Sequence, residues 1–432
     1  VGVLTSVSLA RLLSLQSISP ERIGAVARSP SPGATAAAKG GNPVPNLSDR
    51  ERFLAVARGE RPDYTPIFGF PGAPGMSWGC LRLTHERLVA TGMPAGVGGC
   101  MTDWEYHDVE GWFRYWGTTG PVGLDFGLAT GAEGIRTIRR EVDGFVIVEG
   151  EDGSVTREVL DNADTYSMPE HRVYPVRDRA SWAFYRDRTR ARHGLPRDET
   201  EHHCRRFDER QRPLVIGAGA TFGRIRSLMG TEAASLALFD DPELVHDMIS
   251  AIRDDNRQYV FPLIERLRPE IVACWEDIGY KTSMLIGPDA FRQFCAPLYR
   301  EVAECARACG VTVLAVDSDG CAMQLVPLLV ECGFNALYPF EVKGGNDLPT
   351  LRRRFPELVM FGGLEKEVVN EGNGHLIEAE VCGKVPPLLA QGRYFPNGDH
   401  GLQPPVTFTN LCRFMTVLHE VCGNPEGQFP RQ

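Results

Sequence analysis

A run of about 18 apolar residues, the least a membrane-spanning helix needs, occurs nowhere in the chain, so no span is expected. Basic patches and stripes are missing too. The 46 Lys and Arg residues are dispersed among 56 Asp and Glu, and the net charge is -10 at pH 7. A nucleic acid would find no complementary surface there. Paired cysteine spacings are also lacking. The 12 cysteines are scattered, and the closest two, Cys305 and Cys309, sit one helical turn apart with no matching second pair. That pattern favours reduced thiols, as in cytoplasmic proteins, over a disulfide framework. Residues 1–47 lack acid, with Glu21 as their single carboxylate, and are rich in Ser, Ala, Gly and Pro. The segment shares features with transit peptides, and LARLLSLQ could form a short amphipathic helix. It reads best as a disordered tail.

What is present suits a soluble α/β enzyme. With 432 residues, 43% of them apolar, the chain can bury a large core as one α/β barrel or as two smaller domains. Order should begin at Ser48, which forms a capping-box pattern with Glu51 ahead of a helix closed by Gly59. YTPIFGF then reads as a strand, followed by the glycine and proline loop GFPGAPGMSWG. From Trp104 to Trp116 the pattern is helical. Turns at Asp143-Gly144 and Asp152-Gly153 mark a β-hairpin excursion over 133–160, and TYSMPEHRVYPV reads as a loop.

The second half alternates strand and helix: PLVIGAG, one long helix to about Leu267, EIVACW, a helix, VTVLAV, a helix, NALYPF, a helix, ELVMFGG and a further helix. Short links between such units indicate a parallel sheet. Acids and glycines recur at nearly every strand end, which favours a closed (β/α)8 TIM barrel over 48–425, a single domain interrupted by the hairpin.

Val311 to Glu341 is the most informative stretch. Its apolar strand stops abruptly at Asp317, Ser318, Asp319 and Gly320, and a second strand leads to Glu341. In parallel α/β proteins ligands bind at that end of the sheet. Other strand ends supply Glu276 and Asp277, then Asp399 and His400. Glu276, Asp317, Asp319 and His400 are expected in one pocket. Clustered carboxylates repel, so one must stay protonated, pair with a cation or bind a metal. Lys281, Lys343 and Lys366 are candidate cations. A protonated carboxyl could act as general acid and its ionised neighbour as base, or Asp319 could simply cap the next helix. Asp317, Asp319 and His400 could alternatively hold a divalent metal through two carboxylates and one imidazole. The segment GAGATFGRIR could present backbone N–H groups to an anion with Arg224 or Arg226 assisting, or its glycines could serve close helix packing. Phe70, Trp78, Gly219, Tyr280, Lys281 and Glu341 are the candidate substrate contacts, the aromatics suiting a large flat ligand.

Several blocks resemble the uroporphyrinogen decarboxylase superfamily. RERFLAVARGERPDYTPI is similar to the helix that precedes its first strand, and the likeness continues through FDDPELVHDMI, WEDIGYKTSMLIGPDAFRQFCAPLYREV, VDSDGCAMQLVPLLVECGFNALYPFEV, LVMFGGLEKEVV and FPNGDHGLQPPVTFTN. It covers about 48–422. The resemblance implies a (β/α)8 barrel with its site at the carboxyl mouth. It also implies one of two activities: cofactor-free decarboxylation of uroporphyrinogen, or methyl transfer between a corrinoid protein and a thiol or folate acceptor. Decarboxylases of the family carry an arginine-rich RQAGRYLPE motif after the first strand. Here GFPGAPGMSWG stands there, with no arginine before Arg82. Zinc-dependent methyltransferases carry His-x-Cys where this chain has Asp317-Ser318-Asp319, and a later Cys near Asp399-His400. Other members carry acids at these positions, several of them associated with O-demethylation.

The resemblance therefore implies a corrinoid-dependent methyltransferase of O-demethylase type, with Glu276, Asp277, Asp317, Asp319 and His400 as proton relay or hard-metal ligands. Its partners would be a separate corrinoid protein and a small methyl donor or acceptor; a homodimer is left open. The alternative is a carboxy-lyase acting without a cofactor on a tetrapyrrole or other polycarboxylate. A binding protein that keeps the barrel without turnover is the third reading, disfavoured because burying unpartnered acids costs stability.

Overall fold

The first helix forms where its capping signals place it, at Asp49–Arg58: the Ser48 side chain accepts the Glu51 N–H, Glu51 reciprocates, and Gly59 closes the helix at φ 81°. The computed structural model describes residues 47–69, 82–99, 107–123, 137–159, 169–190, 201–202, 204–404 and 406–432. The tail up to residue 46, Phe70, Trp78, Trp104 and the start of the expected hairpin lie outside the described residues.

Seven parallel strands form the main sheet. They are β1 (Val122–Gly123), β6 (Leu214–Ala218), β7 (Ile271–Trp275), β8 (Val313–Asp317), β9 (Ala336–Tyr338), β10 (Val359–Leu364) and β11 (Tyr394–Gly398), hydrogen-bonded in that order. From β6 onward each strand lies beside the next in sequence, with helices on the crossovers, as right-handed βα units require. Along these strands odd and even residues separate cleanly. Val215, Ala273, Ala315, Phe361 and Phe395 pack with Phe53 and Phe68 in an inner cluster, whereas Ile216, Val272, Leu314 and Met360 join a larger outer cluster beneath the helices. Side chains from strands as far apart as β6 and β11 meet in that inner cluster only because the sheet curls. Ile67–Phe68 approaches both ends of the curl: Phe68 bridges Thr119 in parallel, and the Asn397 amide of β11 donates to the Phe68 carbonyl at 2.8 Å.

The excursion expected as a hairpin is a four-stranded antiparallel sheet of β2 (Thr137–Val142), β3 (Phe145–Gly150), β4 (Val155–Val159) and β5 (Glu170–Val173). Its last strand falls in the segment read as a loop. Pairing with β4 overrides that local reading, and Arg157 reaches Glu170 across the pair at 2.7 Å. The long helix expected up to Leu267 is broken into Phe222–Met229, Thr231–Asp240, Pro242–Asp255 and Phe261–Leu267. Gly230 at φ 85° and the Asp241 cap before Pro242 supply two of the breaks. Among the described residues no helix is long and apolar enough to cross a membrane.

Candidate functional site

The alternation that sorts the core also sorts the acids at the strand ends. On β7, Ile271 and Ala273 face the inner cluster, so Asp277 continues the inner face and Glu276 the outer one. Glu276 accordingly leaves the expected pocket. Its carboxylate accepts the Thr221 N–H at 3.0 Å, the Thr221 hydroxyl at 2.9 Å, the Gly223 N–H at 3.0 Å and the Tyr299 hydroxyl. It satisfies the start of the Phe222–Met229 helix, whose own Thr221 makes no side-chain cap. The same bonds consume the N–H groups that GAGATFGRIR was expected to offer an anion. Gly219 donates to Asn256 at 2.8 Å, and a Cβ there would lie 2.5 Å from Ile252. Gly219 is thus a packing glycine. Arg224 is engaged by the Tyr185 hydroxyl at 2.7 Å.

Asp277, Asp317 and Asp319 do converge. Asp277 adopts a left-handed φ of 44°, pairs with the buried Arg226 guanidinium and accepts the Asp319 N–H at 3.2 Å. Burial and the Asp319 charge push its carboxyl up to about 6, against the pull of Arg226. Asp317 is 3% exposed and stands opposite Tyr338, its register partner on β9. Burial, then repulsion from Asp319 and Asp277, raise its carboxyl well above the usual range. Asp319 goes the other way. Burial opposes its ionisation, but His400, Lys366 and Arg226 outweigh that and hold it low. His400 Nε2 lies 3.6 Å from Asp319 Oδ2, and that carboxylate raises the imidazole against the effect of burial. Two carboxyls two residues apart are therefore shifted in opposite directions, the kind of arrangement that divides acid from base. The helix-cap role for Asp319 is not seen, because the next helix begins only at Leu325.

Glu341 enters the cluster in a place the sequence assigned to Asp317. The ligand atoms of Asp319, Glu341 and His400 all lie within 4.8 Å of one another, whereas Asp317 is not part of that group and stands opposite Tyr338 in register. Burial and the Asp319 charge raise the Glu341 carboxyl. Asp399 is structural: it accepts the Val342 and Lys366 N–H groups at 2.9 and 3.1 Å. Tyr280, 47% exposed, and the exposed Lys281 stand on the loop after β7; Phe70 and Trp78 lie outside the described residues. Tyr338 escaped the sequence reading because a tyrosine inside an apolar strand gives no sign of which face it takes.

Residues 199–421 match the family model for uroporphyrinogen decarboxylase (URO-D). The chain belongs to the URO-D family. No curated protein matches it in sequence. Among solved structures it is similar to a methyltransferase from Methanosarcina mazei, with a TM-score of 0.52 and 13% identity over 87% of this chain and 99% of that one. The likeness is one of fold. Within this URO-D member, the thiolate zinc site of some methyltransferases does not fit: among the described residues no cysteine joins Asp319, Glu341 and His400.

Proposed function

We propose that the chain is a corrinoid-dependent methyltransferase of the O-demethylase type, with Ile67–Phe68 as the eighth stave closing a (β/α)8 barrel beneath the site. A reduced corrinoid on a separate protein would be the acceptor for the methyl group. This chain must supply the proton. As the O–CH3 bond breaks, the oxygen keeps the electron pair and needs a proton at that atom. Asp317, raised well above its usual range, or Asp277, pushed up to about 6, can donate it, while the Asp319–His400 pair holds the reserve. Tyr280 and Lys281 are the proposed contacts for substrate or partner.

What supports this reading is a buried carboxyl, Asp317, raised well above its usual range beside the Asp319–His400 pair at 3.6 Å, in a mouth rich in acid. That acid opposes the alternative. An octacarboxylate such as uroporphyrinogen would meet Asp277, Asp319 and Glu341, and Arg226 is already engaged by Asp277. The family name and the methyltransferase neighbour support an enzyme of this kind.

With a methoxylated donor, the purified protein should convert the visible spectrum of a reduced corrinoid partner to that of methylcorrinoid, and it should leave uroporphyrinogen intact. Asp319→Asn should slow turnover by about 10² to 10⁴ without changing thermal unfolding. Decarboxylation of uroporphyrinogen without added cofactor would reverse the ranking.

A further inference from the structure

We propose that the free edge of the antiparallel sheet, β2, pairs with β2 of a second copy of this chain, joining two four-stranded sheets about a two-fold axis. In the order β2-β3-β4-β5 the edges are β2 and β5. β5 is short, meets β4 through a register shift and leads directly to Tyr174, whose ring packs against Gly230. β2 is different. All six of its residues are exposed and none is proline, and its Ile138 and Val142 are 59% and 49% exposed. Edges are commonly blunted by bulges, proline, charge or cover. Among the described residues only charge blunts β2, and that charge is self-complementary.

The hairpin turn fixes which backbone groups are free. Asp143 and Gly144 both have positive φ, 49° and 79°, the two-residue turn that makes Val142 and Phe145 a hydrogen-bonded pair. Alternation then commits the N–H and C=O groups of Val142, Arg140 and Ile138 to β3 and points those of Arg139 and Glu141 outward. An antiparallel two-fold pair centred on Arg140 uses those outward groups. Arg139 stands opposite Glu141 of the second copy, and Glu141 opposite its Arg139, each pair exchanging two backbone hydrogen bonds. Glu141 has no ion-pair partner among the described residues. In the same register Ile138 of the second copy meets Val142 and extends the apolar row Val142, Phe145 and Val159 across the axis. The two arginines at the axis are offset, because each Arg140 is tied to its own Glu149 at 2.6 Å. Centring on Arg139 or Glu141 instead sets like charges opposite each other in a hydrogen-bonded pair, and sets Ile138 or Val142 against Arg140. The pairing is independent of the methyl-transfer reading.

A single strand pair is a small contact, at the weak end of specific interfaces, so assembly should depend on concentration. Sedimentation velocity of the full chain over a concentration series should show monomer giving way to dimer. Glu141→Arg should weaken the dimer at least about 10-fold, since symmetry places the change in two cross-strand pairs. Adding Arg139→Glu should restore it, because the swapped charges match again. Glu158 keeps a basic neighbour in that double variant, as it shares a row with position 141. Arg140→Cys should cross-link to itself under mild oxidation, with the bond located by peptide mapping, because facing residues of a non-hydrogen-bonded pair have Cα atoms about 4.5 Å apart. Thermal unfolding checks that each variant folds, and Arg140→Cys decides should a charge variant fail to. A chain monomeric up to its solubility limit overturns the pairing and leaves the edge to a strand of a different protein. A dimer unmoved by Glu141→Arg, not restored by the double variant, or without the Arg140→Cys cross-link overturns this interface.

Discussion

Glu270 sits at the amino end of β7 with its side chain only 3% exposed, and every bond it makes is to a donor. It takes Arg210 at 2.8 Å through both oxygens, Arg50 at 2.8 Å and the Leu214 N–H at 2.8 Å. Burial alone would raise this carboxyl, yet these donors outweigh it and the group is held below its usual 4.5. A carboxylate depressed in the folded state contributes stability above its unfolded value, and the contribution is lost as pH falls through the folded value. Glu270→Gln should therefore cost about 3–5 kcal/mol near neutrality, as for a broken buried pair. In denaturant titrations across pH, the gap between wild type and variant should narrow below about pH 4. A constant gap would show that shape, not charge, is what the residue supplies. The contrast with Glu276 is instructive. Both are acids beside β7, but Glu270 ties arginines at the amino end of the strand and Glu276 ties a helix start behind its carboxyl end. Neither role is visible in the residue type.

The loops after β7, β8 and β9 form one laced element. Ser318 Oγ accepts the Ile278 and Gly279 N–H groups at 3.1 and 3.0 Å, and the Cys321 N–H reaches the Tyr280 carbonyl at 2.7 Å. Gly320 is the point of closest approach. Its φ is 76°, and a Cβ would lie 2.6 Å from the Tyr280 carbonyl oxygen. Gly345 has a similar φ of 75° with no atom near its missing Cβ, so it serves as the control. Gly345→Ala should cost about 1–2 kcal/mol, the price of a left-handed residue with a side chain. Gly320→Ala should cost more and also reduce turnover, because it separates the Gly320 N–H from Glu341. Equal losses of thermal stability in the two variants, with activity intact in both, would refute the lacing. Capping signals at Ser48, Gly59 and Asp241 made helix ends legible in the sequence. The strand at Glu170–Val173 was not legible, since its pairing partner β4 lies more than ten residues away and supplies the bonds.

At the scale of the molecule, the inner core is an aromatic plug beneath the acids. The Phe361 and Phe395 rings stack with centroids 4.6 Å apart, and Phe53 from the first helix closes on Phe395 at 5.0 Å. The cluster draws on the first helix and on strands through β11, so the amino- and carboxyl-terminal parts of the described fold share one core. Phe361→Ala should cost about 3–5 kcal/mol, and fluorescence and far-ultraviolet dichroism should still report a single coincident transition. Two separated transitions would mean that the halves of the sheet unfold independently.

Alternation of apolar strands with helices, the punctuation of strand ends by acids and glycines, and the ordered blocks shared with the URO-D family were all legible in the sequence, because each is a local pattern. They singled out Asp277, Asp317, Asp319 and His400 as candidates. Which face each acid takes was decided only in three dimensions. Strands such as IVACW and VLAV are apolar on both faces, as buried parallel strands are, so their composition carries no mark of inside or outside. Curling of the sheet sets that mark by making one face inner and the other outer; the pleat then turns Asp277 inward and Glu276 outward one residue apart, and the curl brings Glu341 from another strand's loop beside Asp319 and His400.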